Sequence, residues 1–511
     1  MPDRFYDVVV LGRSLGALCA AALLARRDFT VLLVGQGQAA PSYPFEGWTL
    51  RRRASTMLGA TTPSWRRILG ELAYTQNWNR KIQPVTPMLQ VLLPARRLDV
   101  PPNMELFARE VQRELPEVRR PVAELYAECA RVTATADAAF ERDATWPPGT
   151  FFERRETNRL AATLPYTRAE AHADLLADFP RNHPYRRIVT ETVRFSTDLG
   201  GMPPAFAVAR MHGLWTRGPV RLPGAEQELE DLLLERIAAN GGRCELQLRV
   251  VGLEVRRGAT VGVHLGGEPS PIGTGFVIAD MTGEELAALG GGHGVSKRAL
   301  REWPRISPTV SRFVVNVVAR RAGVPGPLGP EAFLIPGAGS RAAAGPTIHL
   351  QRGDGGRPDE VMLTAEMLLP ERGGLPLREA RAHVVERLRG ELPFLERHLL
   401  CVDSVHDGLP LWRYVDGERQ LVPRTAGPGL AVRAEPRERQ LEVDPPGYLG
   451  LGGEPIRGPI ERTLLVGASV LPGLGQEGRL LAACAAARLV THSDKRKARM
   501  RREMWTKIEI S

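Results

Sequence analysis

Near its start the chain runs Asp7-Val8-Val9-Val10-Leu11-Gly12-Arg13-Ser14-Leu15-Gly16-Ala17, continues in an alanine-rich helical pattern, and reaches Thr30-Val31-Leu32-Leu33-Val34. A buried strand, a glycine turn, a helix and a second buried strand make a βαβ unit, whose helix N-terminus is suited to the pyrophosphate of a dinucleotide. The fingerprint G-x-G-x-x-G falls here on Gly12, Ser14 and Ala17. Ala17 still lets helix and strand pack closely, and Gly16 serves the same packing. Ser14 departs from the pattern, although a hydroxyl there can bond a phosphate. The acid that should end the second strand and bind the ribose hydroxyls falls on Gly35, which has no acceptor to offer. Each lost charge-assisted bond costs about 1.5–3 kcal/mol. An acid restored at position 35 is therefore expected to tighten dinucleotide binding.

The remaining composition excludes several classes. With 511 residues and 43% apolar content the chain can bury the core of two interleaved domains. The net charge is +10, yet only five of the 68 basic residues are lysine and the arginines are spread along the chain. That spread is not a nucleic-acid footprint, which needs clustering on one element. The cysteines Cys19, Cys129, Cys244, Cys401 and Cys484 show no C-x-x-C and no metal spacing, which predicts a reducing cytoplasm and no metal site. Leu15–Ala25 is apolar enough to suggest a leader, but a valine strand and a glycine turn precede it. No run is long enough to span a bilayer.

Periodicity places the other elements. Residues 87–101 read as two short strands around a turn, and Asn103 opens a helix running to Leu115. Residues 121–142 and 157–195 have helical spacing, and a helix follows Gly224 as far as Ala239. Cys244–Leu248 reads as a strand, residues 248–265 as a hairpin turning at Arg257-Gly258, and Gly275–Asp280 as a buried strand. Arg312–Arg320, Glu331–Ile335, Thr347–Gln351 and Glu360–Leu369 predict a second sheet, with a helix over Leu377–Arg389 beside it. Residues 422–458, rich in Pro, Gly and Arg, read as a surface crossing. The chain then returns with the strand Thr463–Val466, a glycine turn, and a helix over 477–490.

That closing segment, TLLVGASVLPGLGQEG, sets Gly467 and Ala468 at the top of a sheet and aims a helix N-terminus at whatever lies there. Together with VVVLGRSLGALCAAALLARRDFTVLLV, LPGAEQELEDLLLERIAANGGRCELQLRVVGLEV and GFVIADM, it resembles the FAD-dependent phytoene desaturase family, a carotenoid-oxidoreductase branch of the amine-oxidase-like flavoproteins. Pro472, Gly473, Gly475 and Gly478 match the family's H-P-G-x-G-x-x-G run, with Leu471 in place of its His. The resemblance implies an α/β, two-domain flavoprotein fold. Its Rossmann-like FAD-binding domain would comprise residues 1–60, 215–290 and 455–490. A mixed sheet-plus-helix substrate domain would comprise 61–214 and 291–454, followed by a basic tail, 491–511. It implies FAD as cofactor, with Gly12, Ser14, Gly16, Ala17, Gly35, Val250, Gly467, Ala468, Pro472, Gly473, Gly475 and Gly478 as its contacts, Val250 through its backbone to adenine.

The departures fall on ligand contacts. Besides Ser14 and Gly35, the G-G-R turn that clasps the pyrophosphate is missing before the Glu46-Gly47-Trp48 hairpin, and Arg51-Arg52-Arg53 replaces a D-x-G. These arginines read either as phosphate ligands or as a partly solvated strand edge. No triad, metal spacing or paired-carboxylate signature is present, so the catalytic residues stay unassigned. Two readings follow. One is an FAD-dependent oxidoreductase transferring hydride between a hydrophobic, terpenoid or polyene-like substrate and flavin; the other is a cofactor-free descendant serving as a lipid- or protein-binding scaffold. The tail 495–511 joins basic residues to Met504, Trp505, Ile508 and Ile510. It reads either as a solvated helix end or as a peripheral contact with the inner face of the membrane.

Overall fold

The computed structural model describes residues 4–167, 170–337, 345–423 and 434–493. Its first sheet grows from the opening βαβ unit. Strands β1 (Phe5–Leu11) and β2 (Val31–Val34) are parallel, with Val8 opposite Val31 and Leu11 opposite Val34. β2 is buried along its whole length, which is why its apolar run is continuous rather than alternating. Between them α1 (Leu15–Arg26) keeps all but its last residue buried, because its alanines bring the helix axis close to the strands.

Strands β7 (Arg243–Glu245), β8 (Val250–Arg256), β9 (Ala259–Leu265) and β10 (Ile272–Ala279) complete the sheet in the order β8-β9-β10-β1-β2-β7. β19 (Thr463–Leu465) pairs in parallel with the end of β10. Helices α7 (Ala225–Ala239) and α9 (Gly475–Ser493) flank α1. The Arg257-Gly258 turn of the β8–β9 hairpin has positive φ at both residues, 53° and 83°, as a two-residue hairpin demands.

The second sheet has ten strands ordered β17-β16-β15-β11-β14-β13-β12-β5-β6. Its members are β5 (Leu89–Leu93), β6 (Arg96–Val100), β11 (Arg305–Arg320), β12 (Glu331–Leu334), β13 (Ile348–Asp354), β14 (Glu360–Pro370), β15 (Leu399–Asp403), β16 (Leu411–Val415), β17 (Glu418–Val422) and β18 (Arg439–Asp444). β18 pairs antiparallel with the first half of β11. One face of the sheet packs on α8 (Leu377–Glu391). The other faces α5 (Pro184–Ser196) and α6 (Ala205–Trp215) through Phe195 and Trp215 on Phe333; α2 (Met104–Glu114) packs on β6, α3 (Arg119–Phe140) packs on α6, and α4 (Phe151–Ala161) reaches Arg488 of α9 through Glu156. A small hairpin, β3 (Ser42–Phe45) and β4 (Trp48–Arg51), bridges toward β11, where the Arg51 N–H donates to Asn316 Oδ1 at 3.1 Å.

Three expectations change. Residues 157–195 are not one helical stretch: α4 ends at Ala161, the described residues between it and His183 form turns and irregular backbone, and α5 starts at Pro184. The Pro and Gly of the 422–458 crossing hide β18, a strand of six residues. The strand expected over Cys244–Leu248 stops at Glu245, because residues 246–248 fold back over the end of β2. The tail 495–511 lies outside the described residues, and no described helix is long and apolar enough to cross a membrane.

Candidate functional site

The opening turn is built as its sequence requires. Gly12 sits at φ +111°, and a Cβ there would stand 2.6 Å from Asp280 Cβ. A Cβ on Gly16 would lie 2.3 Å from the Val466 carbonyl oxygen, so α1 meets the segment after β19 backbone to backbone. Ser14 is the helix N-cap, and its Oγ accepts from the Ala17 N–H at 3.4 Å. The chain thereby satisfies one of the helix donors that a phosphate would use.

Past the turn, the groove is filled by the chain itself. The Arg13 side chain is buried against Glu230 of α7, and its backbone N–H donates to Gln38 Oε1 at 2.6 Å. Gln38 Nε2 in turn donates to Asp280 Oδ2 at 3.2 Å. At the end of β2 the Gly35 N–H donates to the Glu245 carbonyl at 3.1 Å, and a Cβ on Gly35 would stand 2.0 Å from the Leu246 carbonyl oxygen. An acid does not fit here without moving backbone, which corrects the expectation that one restored at position 35 rebuilds a ribose contact. The Gln36 carboxamide donates to the Val250 carbonyl at 2.8 Å and accepts from the Val250 N–H at 2.9 Å. Both polar groups of Val250, the position that the resemblance assigns to adenine, are taken.

The closing segment behaves alike. A Cβ would come within 2.9 Å of Asp280 Oδ1 at Gly467, 3.0 Å of Leu451 Cα at Gly473, 2.0 Å of the Ser196 carbonyl at Gly475 and 2.3 Å of the Leu471 carbonyl at Gly478. The Pro472 carbonyl accepts from the Asp198 N–H at 2.8 Å, and Ala468 is half-buried beside them. These residues are consumed by packing. In the first turn of α9, Gln476 Oε1 accepts from the Gly59 N–H at 2.7 Å, and Glu477 is buried in a bidentate pair with Arg210 at 2.5 and 2.8 Å.

Between the starts of α1 and α9 the interior keeps a cavity of about 130 Å³. Small-molecule sites run to about 300–1,000 Å³, whereas this volume holds only about four waters. Its walls combine apolar side chains, among them Leu15, Met57, Phe195 and Trp215, with ion pairs. Arg479 bonds Asp198 at 2.8 Å and Glu438 at 2.7 Å, Arg312 bonds Glu366 at 2.9 Å, and Arg53 bonds Glu226 at 2.6 Å. Burial alone would raise the Glu438 carboxyl, but Arg479, Arg312 and Arg53 hold it well below the usual carboxylate range. Arg52 pairs with Glu435 at 2.9 Å and Arg51 reaches Gln351 at 3.3 Å, so all of Arg51, Arg52 and Arg53 are engaged by protein groups. An extended FAD does not fit these residues: Gln36 holds the adenine edge, the Leu246 backbone crowds the ribose position at Gly35, and ion pairs line what remains at the ring end.

Sequence reasoning missed Gln36 and Gln38, and it missed a buried cluster in the second sheet. His349 Nε2 lies 2.8 Å from Glu331 and its Nδ1 lies 3.8 Å from Glu366. Burial pulls this imidazole down, but the bonds and charges of Glu331 and Glu366 outweigh it and raise it to about 9. The available signal was a set of charged residues in otherwise apolar strands.

No protein-family model matches the chain, and no curated protein matches it. Solved structures do. An oxidoreductase from Methanosarcina mazei is 15% identical with a TM-score of 0.54, covering 94% of this chain and 99% of that one. A protein from Pyrococcus furiosus is 14% identical with a TM-score of 0.56, covering 95% and 97%. A putrescine oxidase variant from a redesign of cofactor binding is 12% identical with a TM-score of 0.56, covering 95% and 98%. The chain thus has the α/β two-domain fold of flavoprotein oxidoreductases.

Proposed function

We propose that this chain is a cofactor-free member of the flavoprotein fold that binds an apolar ligand. The observation that carries the reading is the Gln36 carboxamide on both backbone groups of Val250. A pocket emptied of its ligand leaves such groups to water; here a side chain of the same protein satisfies them at less cost than a bound nucleotide would. The ligand-sized space lies elsewhere. A cavity of about 900 Å³ is lined by Leu175, Leu176, Leu199, Met202, Val208 and Leu449 among others. It is walled off from the smaller cavity where Leu441 and residues 198–200 exchange backbone bonds of 2.7 and 3.0 Å. Its size, and a lining apolar over most of its area with Asp174, Arg186 and Glu442 at its polar part, suit an amphipathic terpenoid or polyene-like molecule.

Two measurements on the purified protein test this reading. Titration with FAD is expected to leave it colourless after gel filtration, while the fluorescent polyene cis-parinaric acid binds and Met202→Arg at the cavity mouth weakens it at least about tenfold. A protein that is yellow as purified, or that retains added FAD, overturns the reading in favour of an FAD-dependent oxidoreductase acting on a hydrophobic substrate. Failure of the probe to bind removes the apolar ligand.

A further inference from the structure

Among the described residues the most exposed large apolar side chains are Phe151 and Phe152, at 74% and 78%. They open α4 side by side, ring centroids 5.7 Å apart and nearly perpendicular. The helix that presents them is firmly held. Thr150 and Glu153 form a capping box, Glu153 also accepts from the Gly149 N–H at 2.8 Å and pairs with Arg457 at 2.6 Å, and on the inner face the buried Thr157 hydroxyl donates to the Thr145 carbonyl at 3.0 Å. Such a helix should bury its phenylalanines and solvate its threonine. This one does the reverse.

The same outer surface is basic. Arg154, Arg155 and Arg159 are exposed, with no ion-pair partner among the described residues. The two acids of the helix are both occupied by arginines from elsewhere, Glu153 by Arg457 and Glu156 by Arg488 at 3.2 Å. Arg488 is five residues before Ser493, the end of α9, about 8 Å of helix. The sequence that follows Ser493 carries Lys495, Arg496, Lys497, Arg499, Arg501 and Arg502.

We propose that the start of α4 is a docking surface for an anionic lipid bilayer, with Phe151 and Phe152 entering the headgroup and acyl boundary and Arg154, Arg155 and Arg159 meeting lipid phosphates. Aromatic rings favour that boundary, and each nearby basic residue adds about 1 kcal/mol, roughly fivefold in partition. A bilayer is favoured over a protein partner because the two rings stand beside three exposed arginines while both acids of the helix are already paired, so the patch offers apolar rings and unneutralised cations together; the groove next to it, lined by Pro148, Arg154, Asn158 and Tyr448, takes in neither ring. The inference is independent of whether the chain holds FAD.

Flotation of the full-length protein on phosphatidylcholine vesicles, with and without phosphatidylglycerol, tests it. Wild type is expected to float with the anionic vesicles. Phe151→Ser with Phe152→Ser should cut partitioning at least about tenfold at any salt concentration, while R154Q/R155Q/R159Q should cut it at low salt and progressively less at high salt. Unchanged thermal melting of both variants shows that the fold is intact. The proposal is overturned if wild type does not float, if the phenylalanine variant floats like wild type, or if flotation is lost only when the basic residues of 495–502 are replaced by glutamine.

Discussion

The Gln36 side chain and the Val250 backbone form a closed pair: the carboxamide donates to the carbonyl at 2.8 Å and accepts from the N–H at 2.9 Å, across 214 residues of sequence. A carboxamide presents a donor beside an acceptor, the same pattern as the edge of an adenine. Gln36 holds φ at +56° to make this contact, a conformation costing a non-glycine residue about 1–2 kcal/mol. Two hydrogen bonds of about 1 kcal/mol each offset that cost. The pairing replaces a ligand contact with an internal one.

Gln36→Ala should therefore destabilise the fold by about 1–3 kcal/mol, since it orphans both backbone polar groups of the buried Val250. Urea unfolding measures the loss. Adenosine monophosphate at millimolar concentration should partly restore the variant and leave wild type unaffected, because only the variant has a free Val250 edge. Identical unfolding midpoints for variant and wild type would mean that the pair is not formed in solution.

Gly35→Ala is expected to cost at least about 1–3 kcal/mol, the range for overpacking, because its Cβ would stand 2.0 Å from the Leu246 carbonyl oxygen and only backbone movement relieves the contact. Gly35→Glu should be worse and should gain no FAD affinity. Calorimetric melting with an FAD titration checks both. Tightened FAD binding in the Glu variant would show that residues 245–248 move away and that the groove is open after all.

The fold was readable where local rules and global packing agree. The Asp7–Ala17 strand and turn, the Arg257-Gly258 hairpin and the Asn103 cap each carry their geometry in adjacent residues, and each forms where expected. The state of the groove was not readable from local pattern. Counting the fingerprint finds an acid missing at Gly35, but what stands in its place depends on Gln36 meeting a strand more than two hundred residues later and on Leu246 folding back over it. The cluster of Glu331, His349 and Glu366 is similarly split over three strands of the second sheet. β18 escaped notice because the Pro, Gly and Arg around it carry the composition of a loop, while its pairing with β11 supplies what propensity does not.

His349 provides the pH test. Its folded value of about 9 lies above the ordinary imidazole value of 6.5, with Glu331 at 2.8 Å and Glu366, itself held by Arg312, at 3.8 Å. A group raised on folding contributes stability that is complete below its unfolded value and is lost as pH rises through the folded one. Wild type should thus lose on the order of 2–3 kcal/mol between about pH 6.5 and 9 through this group. His349→Gln should be less stable than wild type at pH 6, and the gap should narrow by pH 10. Glu331→Gln, which keeps the imidazole and removes its nearer carboxylate, should shift the wild-type loss to lower pH. Chemical unfolding of the three proteins across that range decides the matter, and a constant gap between wild type and His349→Gln from pH 6 to 10 would show that His349 is already neutral in the folded protein.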